Sequence, residues 1–295
     1  MSQITLKQLR YFDALARTRH FGRAADACSV SQPALSMQIK ELEDTLDASL
    51  IERGGRQVRL TGLGGDIAER ARAILRSVDE LRDAARASRG DLVGRLRIGI
   101  IPTVAPYLLP RVIANLARMH PELDIHVRET VTPTLLRELD EGAIDTAIVA
   151  LPVSEAGLTE VPLFEEPFLL VRPGSEAKVP APDAEHLREM RVLLLEEGHC
   201  FRDQALSFCK MQSGPPREVL DASSLSTLVQ MVGAGIGVTL IPEMAVEIET
   251  RSADVTITRF SPPEPARTIG MVWRRTSPLA EQLSAIASDV FDGGR

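Results

Sequence analysis

The chain has 295 residues, 44 % apolar and 25 % charged, with a formal net charge of −7 and three cysteines. That length and apolar content suit one large domain, or a small domain beside a larger one, with a sizeable core. No apolar run approaches the ~18–20 residues of a membrane span, and Met1-Ser2-Gln3-Ile4-Thr5-Leu6-Lys7 lacks the charged-then-apolar order of a secretory signal, so the expectation is a cytoplasmic protein with no membrane partner, whose thiols stay reduced and in which a disulfide is transient.

The charge is uneven. Fifteen of the 34 basic and twelve of the 41 acidic residues lie within 1–90, so that segment carries +3 and the remainder −10. A mildly basic head on an acidic body suits a polyanion-binding module joined to a regulatory domain.

Three helical segments fit the first 46 residues. Leu6, Leu9, Phe12 and Ala16 recur at helical spacing. A short segment around 22–27 carries Ala24, Ala25 and Ala27, small enough for close helix approach. The third opens on Ser31 as N-cap and holds Pro33 in its first turn, where a missing N–H costs nothing. Its apolar row Leu35, Ile39, Leu42 and Leu46 faces the core of a trihelical bundle. The opposite row is Gln32, Ser36 and Lys40. Gln and Ser can bond base edges, and Lys can hold phosphate. Most polar helix faces are merely solvated, but a short second helix, a tight turn and a capped third helix are the layout of a helix-turn-helix.

Residues 50–61 read as strand, Gly54-Gly55 turn and strand, a winged hairpin whose Arg53, Arg56 and Arg59 suit phosphate or minor-groove contacts. From Asp66 to about Arg89 runs one long helix. Ile67, Ala71, Ile74, Val78, Leu81 and Ala85 form a heptad seam. Burial against the chain's own body is one reading of that seam. The other positions are almost all Asp, Glu, Arg and Ala, which favours a narrow self-association stripe. A dimer would fix two recognition helices on one duplex.

The run Ala24-Ala25-Asp26-Ala27-Cys28-Ser29-Val30-Ser31-Gln32-Pro33-Ala34-Leu35-Ser36 resembles the winged helix-turn-helix of LysR-type transcriptional regulators, as does the order of wing, linker helix and α/β body. The resemblance spans the chain. It implies an α+β multidomain protein: a DNA-binding domain over 1–61, a dimerising linker helix over 62–89 and an effector domain over 90–295. It also implies a homodimer or homotetramer on double-stranded promoter DNA, in contact with RNA polymerase, that is not an enzyme and needs no cofactor. Gln32, Pro33 and Ser36 would reach bases, and Arg53 and Arg56 the backbone.

Past a hinge at 90–94 the chain alternates: strand 96–101, helix 106–120, strand 124–129, helix 134–140, strand 146–150. This is a βαβαβ sheet. A second group runs from Phe164 to about Ser261, and the chain returns through a strand at 268–273 and a helix near 278–291. Two such subdomains, about 90–164 with 268–295 and about 165–267, resemble the periplasmic-binding-protein fold of LysR effector domains. Ligands in such sheets sit at the carboxyl ends of strands. Thr103 and Thr132 follow two strand ends, where they serve either as helix caps or as ligand contacts. Gly233-Ala234-Gly235-Ile236-Gly237 imitates a phosphate loop, but it follows a helix and enters a strand, the reverse of what such a loop requires. It reads as a turn.

Two of the three cysteines lie in Gly198-His199-Cys200-Phe201-Arg202-Asp203-Gln204-Ala205-Leu206-Ser207-Phe208-Cys209. The run 202–208 is helical, so Cys200 lies near a helix N-terminus, where the dipole and a neighbouring His199 or Arg favour the thiolate. A thiolate attacks peroxide to give a sulfenic acid, which a second thiol converts to a disulfide. If 200–209 is one helix, nine steps of ~1.5 Å separate the Cα atoms by ~13 Å, whereas a disulfide needs ~7 Å or less. Cys28 reads as a small hydrophobe in the second helix, and Cys209 has packing as its alternative. His199, Cys200 and Cys209 make poor metal spacing, so no metal is expected.

This stretch, with Ile101-Pro102-Thr103-Val104-Ala105-Pro106-Tyr107-Leu108-Leu109-Pro110, resembles the hydrogen-peroxide sensors within the LysR family. The resemblance implies that Cys200 is the peroxidatic and Cys209 the resolving thiol, that Thr103, Thr132, His199 and Arg267 line the peroxide pocket, and that a glutaredoxin- or thioredoxin-type reductant resets the switch. Phe201 stands where those sensors more often carry leucine. A regulator induced by a small organic anion, with structural cysteines, and a thiol peroxidase are the alternatives.

Overall fold

The computed structural model describes residues 3–52, 58–87, 93–180, 187, 190–208 and 220–291. The chain divides into two units, Met1–Ser88 and Arg89–Arg295. In the first, α1 (Leu6–Thr18), α2 (Phe21–Ala27) and α3 (Gln32–Leu46) surround one apolar cluster. Local hydrogen bonds fix the helix starts. The Gln8 N–H donates to Thr5 Oγ1 at 3.2 Å while the Thr5 N–H donates to Gln8 Oε1 at 2.9 Å, a capping box. Ser31 accepts from the Ala34 N–H as the N-cap of α3.

The α3 row is buried as its spacing requires at Leu35, Ile39 and Leu42, with Leu46 half-buried. The α1 row differs from the expected one. Leu6 is exposed, and burial runs through Leu9, Phe12 and Leu15. At 3.6 residues per turn each three-residue step falls about 60° short of a full turn. Leu6 and Leu15 therefore lie on opposite sides, and burying Leu15 turns Leu6 outward.

Strands β1 (Ile51–Glu52) and β2 (Arg59–Leu60) pair antiparallel as the wing. Glu43 Oε1 accepts from the Leu50 and Ile51 N–H groups and ties the hairpin to α3. Helix α4 (Gly62–Ala87) starts four residues before the expected Asp66, because Thr61 Oγ1 accepts from the Gly64 N–H at 2.9 Å and caps it. The seam is buried over its first part and open to solvent over its second. Ala68 and Ala71 are buried and α4 packs on α1, whereas Ile74 is 47 % and Leu81 72 % exposed.

In the second unit β3 (Gly94–Ile100), α5 (Ala105–Met119), β4 (Leu123–Glu129), α6 (Thr132–Asp140) and β5 (Thr146–Leu151) form the predicted parallel βαβαβ, with β3 between β4 and β5. A long strand β6 (Leu158–Pro173) leads to β7 (Val192–Leu195), α7 (Cys200–Phe208), β8 (Asp221–Ala222), α8 (Leu225–Gly233), β9 (Val238–Pro242), the short α9 (Val246–Glu249) and β10 (Val255–Thr258). The chain returns through β11 (Ala266–Arg274) and ends in α10 (Ala280–Phe291). The strand order is β4-β3-β5-β11-β6-β9-β7-β8, with β10 on β6. Strand β6 pairs with β11 along Leu158–Pro167 and with β9 along Phe168–Val171. The expected subdomain junctions at 164/165 and 267/268 thus lie inside β6 and β11, which the two halves share. The glycine run at 233–237 is a turn from α8 into β9, with Gly235 at φ +77° and the Gly237 backbone against the Arg191 carbonyl. Among the described residues no helix is long and apolar enough to cross a membrane.

A Cβ on Gly64 would stand 2.1 Å from the Leu50 carbonyl oxygen, where α4 meets the wing. Gly64→Ala is expected to destabilise the N-terminal unit by about 1–3 kcal/mol, measured by chemical denaturation. An unchanged midpoint would show that the backbone separates there freely.

Candidate functional site

Along α3 the side chains of Gln32, Pro33, Ser36 and Lys40 are exposed as one strip, and Arg59 is exposed on β2. Arg53 and Arg56 lie outside the described residues. Cys28 is the C-cap of α2 rather than a helix-interior residue. It is half-buried against the apolar cluster, and burial pushes its thiol up against the opposing pull of Arg17. That is packing, as expected.

The second site lies at the ends of β3, β7 and β11. Its organising group is Arg267. Arg267 and Glu166 are direct partners in the β11–β6 register, and cross-strand partners on one face are close enough to interact. The Arg267 Nε donates to Glu166 Oε2 at 2.8 Å, and Nη2 lies 2.7 Å from the same oxygen. Nη1 donates to Thr103 Oγ1 at 2.8 Å and Nη2 to the Thr103 carbonyl at 3.0 Å. Glu166 Oε1 accepts from the Met244 N–H at 3.2 Å. All three side chains are buried. Burial pushes the Glu166 carboxyl up, and the Arg267 charge offsets part of that rise. Thr103 is therefore no helix cap: α5 begins after Val104, which makes no side-chain cap bond.

Phe201 lies on the other side of the guanidinium, its ring centroid 5.4 Å from Arg267 Cζ. The ring is 2 % exposed and meets Phe168 edge-on, with centroids 4.9 Å apart. The residue before it, Cys200, is a half-buried free thiol at the first position of α7. Gly198, at φ +94°, turns the chain from β7 into this helix. A side chain at Gly198 would touch Val131 at 3.8 Å, so the turn lies beside the start of α6. Thr132 is the first residue of α6, two residues before the expected start at Thr134. It is no cap either: Val131 holds the cap position, and the buried Thr132 hydroxyl has no hydrogen-bond partner among the described residues. His199 is half-buried. Burial lowers its pKa, and Glu196 partly opposes this. The neighbouring Arg202 points away, donating to the Leu195 carbonyl at 2.7 Å and to Asp221 at 2.6 Å, which anchors α7 to β7 and β8.

The geometry thus joins Thr103 and Arg267 directly, and brings the turn before His199 and Cys200 against the helix start at Thr132. Cys209 lies outside the described residues. Sequence reasoning missed Glu166. The signal was the pair Glu165-Glu166 in a strand: neighbours on a strand face opposite ways, so one carboxylate had to point inward. It also missed a second bridge from α5, where the Tyr107 hydroxyl donates to Glu249 Oε1 at 2.6 Å and Ser226 donates to Glu249 Oε2. Burial and the Glu249 carboxylate push the Tyr107 phenol well above its ordinary value, so it stays the donor.

Residues 6–65 match the family described as bacterial regulatory helix-turn-helix protein, lysR family, and residues 89–291 match the LysR substrate binding domain. The DNA-binding transcriptional dual regulator OxyR of Escherichia coli (strain K12) is 42 % identical over 292 residues, covering 97 % of this chain and 95 % of that protein. A probable hydrogen peroxide-inducible genes activator of Streptomyces viridosporus is 42 % identical over 300 residues, 99 % of this chain and 95 % of that protein. Among solved structures, a full-length OxyR from Pseudomonas aeruginosa with a cysteine-to-aspartate substitution superposes with a TM-score of 0.76 at 37 % identity, covering 98 % of this chain and 95 % of that one. A hydrogen-peroxide-bound OxyR mutant from Corynebacterium glutamicum gives 0.66 at 36 % identity, covering 99 % and 94 %.

Arg267→Leu leaves the Glu166 carboxylate buried without its cation and is expected to cost about 3–5 kcal/mol of stability. Replacing both partners by apolar residues should recover most of that loss, and a double-mutant cycle by denaturation checks it. If the single variant is as stable as the parent chain, the pair does not hold the site together. His199 gives a pH effect. The unfolded imidazole titrates near 6.5 and the folded one lower, so in that window the unfolded chain binds more protons. Stability is therefore lost as pH falls through the window below 6.5 and regained as it rises. His199→Gln should flatten that part of the stability–pH curve; an identical curve would contradict the burial effect.

Proposed function

The chain belongs to the LysR family of bacterial helix-turn-helix transcription regulators, and from that premise we propose that it is the peroxide-responsive kind, switched by oxidation of Cys200 and a disulfide to Cys209. The observation that carries this reading is the position of Cys200: a free thiol at the start of α7, between His199 and the Phe201 ring that covers Arg267. The likeness to a relative named for hydrogen-peroxide induction supports it.

In this reading Gln32, Pro33 and Ser36 read bases of double-stranded promoter DNA, with Lys40, Arg53 and Arg56 on the backbone. The open stripe through Ile74 and Leu81 pairs subunits, and dimers assemble into a tetramer. Thr103, Thr132, His199 and Arg267 line the peroxide pocket, where the unpartnered Thr132 hydroxyl can bond a peroxide oxygen. The Cys200 thiolate attacks one oxygen, the O–O bond breaks, and with one proton taken up the other oxygen leaves as water, giving Cys200 sulfenic acid. The Cys209 thiol then displaces that hydroxyl as a second water, and the S–S bond forms. Two thiols have passed two electrons to one peroxide.

Helix α7 sets the consequence. Cys200 and Phe208 are eight rises apart, ~12 Å, and Cys209 Cα lies within about 3.8 Å of Phe208 Cα by the length of one peptide unit. The two cysteine Cα atoms are therefore at least ~8 Å apart while α7 is intact, beyond the ~7 Å reach of a disulfide. Oxidation has to unwind α7, and that refolding shifts subunit packing, half-site spacing and contact with RNA polymerase. A glutaredoxin- or thioredoxin-type dithiol returns the two electrons. An organic-anion inducer is disfavoured, because the buried cation of this site is already matched by Glu166. The family is one of regulators, so the thiol-peroxidase alternative falls away.

Cys200→Ser is expected to bind promoter DNA with unchanged affinity and to lose the peroxide-dependent change in footprint and transcript. A Cys200→Ser chain that still responds to peroxide would rule the mechanism out.

A further inference from the structure

We propose that Phe201 sets the redox poise of this switch: its ring holds the first turn of α7 in the reduced fold and has to leave its site before the disulfide can close. The inference rests on the reading of Cys200 and Cys209 given above. Among the described residues α7 has two buried side chains, Phe201 and Ala205, one turn apart. Leu206 packs partly against the core and Arg202 bonds to β7 and β8, but among the described side chains of α7 Phe201 is the largest that is fully buried. The ring meets Phe168 edge-on and covers the Arg267 guanidinium with its face. Arg267 cannot follow a departing ring, because Glu166 and Thr103 hold it from the strands and from the turn after β3.

Unwinding at the Cys200 end therefore gives up apolar burial, an edge-to-face contact and a cation–ring contact together. Each of these favours the dithiol form, so each raises the potential at which the disulfide appears. Leucine would keep much of the apolar bulk and offer a ring to neither partner. The equilibrium is protein dithiol plus glutathione disulfide against protein disulfide plus two glutathione thiols. Two electrons and two protons leave Cys200 and Cys209, and the glutathione S–S bond is reduced.

The test is to equilibrate the full-length parent chain, Phe201→Leu and Phe168→Leu in graded glutathione redox buffers. Thiols are then quenched by acid and alkylation, and the Cys200–Cys209 cross-linked peptide is quantified. Phe201→Leu is expected to raise the equilibrium constant for the disulfide about tenfold, a midpoint ~30 mV more negative for a two-electron couple. Phe168→Leu, which removes the edge contact and leaves the contact between Phe201 and Arg267, should shift it in the same direction by less, and it carries the test alone if Phe201→Leu does not fold. Because the two rings touch, the double variant should shift by less than the sum of the single effects. A residue that matters only for packing would weaken both redox forms equally and leave the midpoint in place. Unmoved midpoints in both single variants would overturn the proposal and show that α7 opens from its Phe208 end with Phe201 still seated. A parent chain that forms no Cys200–Cys209 cross-link in any buffer would overturn this inference together with the switch it rests on.

Discussion

Arg267 is held inside the effector domain by groups from separate parts of the chain: Glu166 across the β11–β6 pair, Thr103 beyond β3, and the Phe201 ring from α7. Glu166 extends the connection to the Met244 backbone. A buried ion pair of this kind is seldom more stabilising than well-packed apolar residues. Its value is directional, since a guanidinium offers its donors in a fixed plane, and each partner takes a defined place around it. The turn after β3, two strands and the start of α7 are thereby registered on one group. The Tyr107–Glu249–Ser226 bridge ties α5, which follows that turn, to α8 and α9. A change in α7 that removes Phe201 alters the surroundings of Arg267 without freeing it.

The second constraint is length. A nine-residue helix is too long for the cysteines at its start and just past its end to join. In the proposed switch the disulfide and the fold of α7 are therefore exclusive alternatives, with α7 belonging to the dithiol state. Two mutually exclusive local states with a covalent event between them make a bistable element. Arg202, bonded to Leu195 and Asp221, ties the first turn of α7 to the frame of β7 and β8.

Much of this was legible in the sequence, because local rules and tertiary packing agree there. Ser31 and Pro33 marked the start of α3, the spacing of Leu35, Ile39 and Leu42 gave its buried face, and the alternation of strands and helices gave the parallel βαβαβ. Misreadings arose where one period admits two answers. Leu6 and Leu15 both lie on a three-residue row from Phe12, and only the packed bundle decides between them. The apolar row on α4 is the same pattern whether it packs on the N-terminal bundle, as it does at Ile67, or faces outward, as at Leu81. Thr103 and Thr132 sit where caps occur, and the backbone alone could not show that one hydroxyl meets Arg267 and the other is buried without a partner. Glu166 was missed because the adjacent carboxylates Glu165 and Glu166 do not show which of them points inward until the strand opposite is known to place Arg267 against Glu166. The approach of Phe201 to Arg267 joins residues 66 positions apart, and no local pattern encodes it.

The account turns on α7 being intact with free thiols and unwound with the disulfide. The direct measurement is hydrogen exchange of the full-length chain, resolved to the peptides covering residues 200–208, before and after stoichiometric hydrogen peroxide. The cross-link is mapped on the same sample. The account predicts that the Cys200–Cys209 peptide appears together with loss of amide protection across α7, while β7 and β9 stay protected. A cross-linked chain with α7 protection unchanged would contradict it.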